Sequence, residues 1–343
     1  MRKLLNVLYV TTPKSYLALD GENVVVLLEE NEKFRLPITI LEGIVCFGYM
    51  GVSPALMGKC VNQNIPISFM KPNGEFLAKL CGKTQGNVLL RKSQYVFSDD
   101  DRLCIEFAQN TIAAKLANSC FVLDRSIRDS KDEAEIEQMQ QIYDRIAGQL
   151  EKIYDIDDPD ELRGFEGIMA KYYFGTFDNM ITQQKKDFYM YERSKRPPLD
   201  NLNCCLSYLY SILALEIVSA LETVGLDPYV GFFHQLRPGR ASLALDLEEE
   251  LRAYFVDRLV ISMVNLKQIL PGDFMAKEGG GVLFTEDGRK KILLGWQNRK
   301  KKEIFHSVIG EKIELGLLPY VQAQLLAKYL RHEISEYPPF LCK

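Results

Sequence analysis

The chain has 343 residues, 47% of them hydrophobic and 26% charged, with a formal net charge of -4. That length is too great for one small core and suits two domains, and the composition is that of a folded globular protein, which excludes a chain dominated by disorder. The acidic total excludes a uniformly basic surface but not a local basic patch, because residues 275–312 hold 9 basic and 5 acidic side chains whereas residues 124–161 hold 5 basic and 13 acidic ones.

The first residues, MRKLLNVLYV, read as a strand rather than a signal peptide: the apolar stretch is short, Asn6 breaks it and no small-residue cleavage site follows. Extended runs continue on either side of Gly21, through a polar turn at Glu30–Glu32, and again in ILEGIVCFG and PISFMKPNGEFLAKL, with a turn at Pro72–Gly74. One short helix, SPALMGKCVNQ, interrupts them, with Ser53 as its cap. Eight or nine strands are expected. After about residue 84 the period changes, and from Leu103 to Leu150 the apolar residues recur at three and four, the helical period. The expected fold class is α+β, with a β-rich, sandwich-like domain at 1–85, a linker at 86–96, and a larger all-α catalytic domain at 97–343.

No run of about 20 apolar residues is expected to span a membrane. Eight cysteines occur without a C-x-x-C pair, which argues against a zinc ribbon or a thioredoxin-type site and fits a reducing cytoplasm.

Two segments carry chemistry. In DPDELRGFEGIMAKYYF, Asp158 can cap a helix, Pro159 suits its first turn, and Asp160 and Glu161 favour its positive end. Glu166 then falls at the margin of the apolar stripe of Leu162, Phe165 and Met169. In LDPYVGFFHQLRPGRASLALDLEEELR, His234 ends an apolar run and RPGR at 237–240 makes a turn. Ser242 is expected to cap the next helix, on which Asp246 and Glu249 lie three apart on one face. Glu248 is expected to look outward. Carboxylates and an imidazole suit Mg²⁺ or Mn²⁺. Spacing alone leaves other readings open: a core histidine beside Phe232 and Phe233, a dipole-compensating acidic pair, and a Glu166 paired with Arg163.

Basic residues form several groups: Arg193, Lys195 and Arg196 before two prolines, Arg237 and Arg240 around the turn, and Arg289, Lys290, Lys291, Arg299 and Lys300 on either side of Trp296. Each group is a candidate phosphate-binding surface, and each also reads as a solvated patch. Arg237 and Arg240 alternatively pair with Asp246 and Glu250. Asn203 and Ser207, one helical turn apart, either reach the site or bond a neighbouring helix.

RGFEG at 163–167, GFFH at 231–234 and SLALDLEEELR at 242–252, with RSKRPPLDNLNCCLSYLYSIL between the first two, resemble the CRISPR-associated adaptation integrase family, and the type I-C branch most. The resemblance spans about residues 150–265. It implies a Mg²⁺ or Mn²⁺ ion held by Glu166, His234 and Glu249, with Asp246 in support. It also implies insertion of short foreign DNA fragments into a CRISPR array by attack of a 3′-hydroxyl on a phosphodiester. The implied partners are double-stranded DNA, a second copy of the chain in a homodimer, and a small second adaptation subunit in a heterohexamer, with no membrane. Two other functions use the same residues: a stand-alone metal-dependent nuclease on branched or repair DNA, and a non-catalytic DNA-binding scaffold.

Overall fold

Strand period and helix period divide the chain where the sequence changes from one to the other. A computed structural model describes residues 6–80, 82 and 88–342, and the chain separates into two units, Met1–Gln85 and Gly86–Lys343. The first holds β1 (Asn6–Val10), β2 (Ser15–Asp20), β3 (Asn23–Leu28), β4 (Asn31–Pro37), β5 (Leu41–Phe47), β6 (Gly51–Val52), α1 (Pro54–Asn62), β7 (Ile67–Met70) and β8 (Phe76–Lys79). They form two four-stranded sheets, ordered β1-β5-β7-β8 and β4-β3-β2-β6. Leu17, Val24 and Val26 from one sheet and Ile44, Cys46 and Ile67 from the other share one core with Leu56 and Cys60 of α1. The unit is therefore a two-sheet sandwich. Ser53 caps α1, accepting from the Leu56 amide at 3.2 Å. The turn expected at Glu30–Glu32 lies one residue earlier, where Glu29 and Glu30 both adopt positive φ (51° and 66°), the conformation that matches the twist of a tight hairpin.

The second unit holds α2 (Val88–Ser98), α3 (Asp101–Asp129), α4 (Glu133–Ala147), α5 (Pro159–Phe174), α6 (Phe177–Met180), α7 (Asn201–Val224), α8 (Ser242–Arg252) and α9 (Arg258–Asn265). A hairpin of β9 (Phe274–Ala276) and β10 (Val282–Phe284), then α10 (Glu286–Lys300), a hairpin of β11 (Glu303–His306) and β12 (Glu311–Glu314), and α11 (Leu318–Leu330) complete it. The fold departs from the sequence expectation at two places. The expected linker at 86–96 carries helix from Val88 on, because Leu90, Gln94 and Phe97 form a buried face. The unit expected to be all α also contains the two short hairpins.

Helix α3 is the spine of this unit, packed against α4, α5 and α8. Asp100 starts it by accepting from the Arg102 and Leu103 amides, and Asp158 starts α5 in the same way from Asp160 and Glu161. Helix α7 is long and apolar enough to cross a membrane by length and composition alone. It is a core helix here, with Leu202, Leu206, Leu209, Leu213, Ile217 and Leu221 buried. The seven described cysteines are all free thiols, Cys204 and Cys205 included; Cys81 lies outside the described residues.

Between α8 and α9 the chain makes a π-helical turn, Ala253–Asp257. It directs Asp257 between the hydroxyls of Tyr173 on α5 (3.1 Å) and Tyr210 on α7. Burial raises the Asp257 carboxyl to about 6, against the pull of these two hydroxyls. A carboxyl raised in the folded state binds its proton more tightly there than in the unfolded chain. Its contribution is therefore complete below about pH 4 and is lost as pH rises through about 6. Asp257→Asn is expected to remove about 3 kcal/mol of this pH dependence. Urea unfolding at pH 4.5 and pH 7.5 checks it: the gap between the two proteins should shift toward the variant at the higher pH, and a constant gap refutes the assignment.

Candidate active site

The segment Gly231–His234 wraps around the Asp246 carboxylate. Asp246 is fully buried. Its Oδ2 accepts from the amides of Phe232 (2.7 Å) and Phe233 (3.1 Å), and its Oδ1 accepts from the amide of His234 (2.9 Å). The ring Nδ1 of His234 lies 2.7 Å from the same Oδ1. Gly231 is required by this closeness, since a Cβ there would sit 2.7 Å from Asp246 Oδ2 and from the Ser242 backbone. Because a buried carboxylate accepts, Nδ1 carries the proton and the lone pair is left on Nε2. That atom faces Glu249 Oε1 across 3.9 Å.

Glu249 stands one turn beyond Asp246 and is 4% exposed. Its Oε1 meets Arg252 Nη1 at 2.8 Å and its Oε2 meets Lys115 Nζ at 2.6 Å. Lys115 reaches from α3 and also pairs with Glu166 of α5. Three helices and one loop thus bring together the three residues singled out from sequence, with a lysine between the two glutamates. Burial would raise the Glu249 carboxyl, but Arg252 and Lys115 outweigh it and hold it below the usual range. Burial would likewise lower the Lys115 ammonium, but Glu249 and Glu166 hold it above the ordinary lysine value.

The donor set suits a hard divalent cation. Glu166 and Glu249 already converge on one positive charge, and a histidine fixed through Nδ1 by a carboxylate presents Nε2 as a ligand. Among the described residues, no three His, Cys, Asp or Glu side chains form a ready-made metal cage, and the Lys115 ammonium stands between the two glutamates.

Sequence reasoning missed Lys115 and Arg252. A signal for Lys115 existed: it falls on the helical stripe of Cys104, Ala108, Thr111, Ser119 and Val122, all buried. A lysine on such a face has a partner. Two other expectations are corrected, and one alternative that spacing left open falls. Glu248 does not look outward; it is 1% exposed and bonds Arg252 at 2.8 Å, because α8 is enclosed by α3 and α7. Ser242 does not cap α8; it is the first helical residue, and its hydroxyl donates to Gln235 O. Glu166 pairs with Lys115, while Arg163 goes to Asp160 and the Phe233 carbonyl.

A family model, CRISPR associated protein Cas1, matches residues 8–298. This chain belongs to that family. The CRISPR-associated endonuclease Cas1 1 of Chlorobaculum tepidum is 42% identical to it over 341 residues, 99% of each chain. In fold it is similar to a casposase bound to integration product, with a TM-score of 0.85 at 24% identity over 98% of this chain and 94% of that one. It is also similar to a chain of a Cas6-RT-Cas1–Cas2 complex, with a TM-score of 0.82 at 21% identity over 98% of this chain and 36% of that one.

In this Cas1-family chain the basic residues separate into inner and outer ones. Arg193 points inward: its Nη1 donates to Asn203 Oδ1 (2.7 Å) and Ser207 Oγ (3.2 Å), and its guanidinium lies over the rings of Phe174 and Tyr210. Asn203 and Ser207 therefore serve Arg193. Arg289, Arg299 and Lys300 are buried. Arg299 bonds the Tyr254 carbonyl, and Lys300 pairs with Glu216 at 2.7 Å. Lys291 pairs with Asp273 and Lys290 with Glu286. Lys195, Arg196 and Arg237 are exposed and Arg240 is half-buried. Burial and the cations Arg252 and Arg193 lower the Lys195 ammonium. Arg237 and Arg240 do not take Asp246 or Glu250 as partners. Glu250 turns to the far side of α8, where it accepts from Tyr337, Gln322 and the Phe340 amide and anchors the C-terminal segment.

Proposed function

We propose that this chain is a divalent-metal-dependent DNA endonuclease and integrase that inserts short DNA fragments into a CRISPR array. The observation that carries the reading is the convergence of Glu166 and Glu249 beside the Nε2 of a histidine fixed by Asp246. Membership of the Cas1 family, a curated relative named as an endonuclease and a fold shared with a casposase bound to integration product support it.

Glu166, Glu249 and His234 Nε2 would hold the Mg²⁺ or Mn²⁺ ion. Bound there, such an ion polarises a phosphodiester and lowers the pKa of the attacking hydroxyl. Asp246 keeps His234 in one tautomer and orientation. Arg252 fixes Glu249 from the side away from Lys115. In strand transfer a 3′-oxygen bonds to phosphorus, the former 3′-oxygen leaves, and the proton passes from one to the other, so no covalent bond to the protein is needed.

Lys195, Arg196, Arg237 and Arg240 would hold the DNA backbone beside the site. The β9–β10 hairpin steadies the first two: Val282 N donates to Pro198 O at 2.8 Å, and Gly281 packs so closely on Pro197 that a Cβ would come within 2.8 Å. Double-stranded DNA, a homodimer and a heterohexamer with a small second adaptation subunit are the proposed partners, in keeping with the Cas2 named in the similar complex. Replacing Lys195 and Arg196 by Ala should reduce the slope of log affinity against log salt by about 1 for each phosphate that these side chains neutralise. An unchanged slope in a filter-binding series removes them from the interface.

The deciding experiment is a strand-transfer assay on a branched DNA that mimics a half-integrated product, with Mn²⁺ and with Glu166→Ala and His234→Ala beside the wild type. Joined strands from the wild type alone, with duplex binding kept in both variants, support the integrase. Cut but unjoined strands favour a stand-alone nuclease. No product, even with the small partner subunit added, favours a scaffold.

A further inference from the structure

Lys115 occupies the place where the two glutamates would share a metal ion. Its ammonium contacts Glu166 and lies 2.6 Å from Glu249 Oε2, and the residue is 8% exposed. The other oxygen, Glu249 Oε1, is taken by Arg252 at 2.8 Å and faces His234 Nε2 at 3.9 Å. A cation bridging Glu166 to Glu249 Oε2 therefore enters the gap that the Lys115 ammonium now fills.

Two buried carboxylates this close repel each other unless a positive charge lies between them. The fold supplies one from a helix that has little freedom to move. One turn after Lys115, the Asn118 amide donates to Glu250 O (2.7 Å) and Phe340 O (2.8 Å), and its oxygen accepts from Cys342 N (2.9 Å). Helix α3 is thereby tied to α8 and to the C-terminal segment, while the four-carbon lysine stem can still swing.

We propose that Lys115 is a resident counter-cation: it holds Glu166 and Glu249 together in the metal-free protein, and a divalent ion binds by displacing its ammonium from them. The site is then complete in charge before the metal arrives, and the lysine sets the concentration at which the metal enters. This rests on the reading of Glu166 and Glu249 as metal ligands.

The test is Mn²⁺ binding by titration calorimetry, together with thermal unfolding with and without Mn²⁺, on the full chain without DNA. Lys115→Met keeps the length and removes the charge. It is expected to bind Mn²⁺ about tenfold tighter or more than the wild type, with a lower melting temperature that saturating Mn²⁺ restores. Lys115→Arg, which keeps the charge, is expected to bind no tighter than the wild type. Lys115→Gln carries the same comparison if the Met variant does not fold. Wild-type binding with equal or weaker binding in the neutral variants overturns the proposal and leaves the metal reading standing. Failure of the wild type and the neutral variants alike to bind Mn²⁺ overturns both.

Discussion

Asp246→Ala is expected to destabilise the helical unit by about 3–5 kcal/mol and to abolish strand transfer in the fraction that stays folded. The carboxylate accepts from three successive amides and from His234 Nδ1, all within 3.1 Å, and none of its surface is exposed. Each buried donor left without an acceptor costs about 1–3 kcal/mol, and the loop can recover part of that by opening to water. The total is a large share of the roughly 5–15 kcal/mol that holds a domain folded. The same change frees the imidazole to rotate and to change tautomer, so the damage reaches the site even where the fold survives. Asp246→Asn separates the two effects. It keeps one acceptor oxygen, so it should lose less stability, yet its neutral amide no longer fixes a proton on Nδ1. Urea unfolding and strand transfer measured on the same preparations check both variants. A wild-type midpoint in Asp246→Ala shows that the segment 231–234 does not need its carboxylate.

The main features of this arrangement were legible in the sequence because they are local. The change from strand period to helix period located the division between units, and the Asp158–Pro159 start placed Glu166 on its helix. The three-residue spacing of Asp246 and Glu249 placed both on one helical face. What spacing cannot reveal is the direction of a side chain relative to a distant element. Spacing gave no sign that Asp246 also closes the loop 231–234; Glu248 was expected in solvent and lies at an enclosed ion pair. Lys115 sits 51 residues from Glu166 in the chain, so no local pattern joins them.

The basic residues make the same point from the other side. Charge counting in 275–312 suggested a phosphate-binding surface, but Arg289, Arg299 and Lys300 are buried in the fold. The Arg299 head bonds the Tyr254 carbonyl and the Lys300 head pairs with the Glu216 carboxylate. A dense basic run on a helix is thus divided by the helical period into a face that packs and a face that meets solvent. Arg193 and Lys195, two residues apart, divide in the same way. The first is held over aromatic rings and the second is exposed, so the two should respond differently to substitution.

Arg252→Ala is expected to cost about 3–5 kcal/mol of stability, because one guanidinium serves two buried carboxylates. Its Nη2 meets Glu248 and its Nη1 meets Glu249, both at 2.8 Å, and its plane lies 5.0 Å from the ring centre of Tyr210. Removing it strands Glu248 without its ion-pair partner and leaves Glu249 to Lys115 alone. Glu249 can then turn toward the lysine and away from His234. A shift of that kind near reacting atoms lowers strand transfer on the order of 10²-fold. Arg252→Lys restores one of the two ion pairs but not the fork that spans both glutamates. It should recover most of the charge balance while keeping a clear defect in strand transfer. Unfolding midpoints and transfer rates for the two variants, compared with Glu248→Gln, decide between a structural and a positioning role. If Arg252→Lys equals the wild type in both measurements, the two-carboxylate fork has no role in holding Glu249.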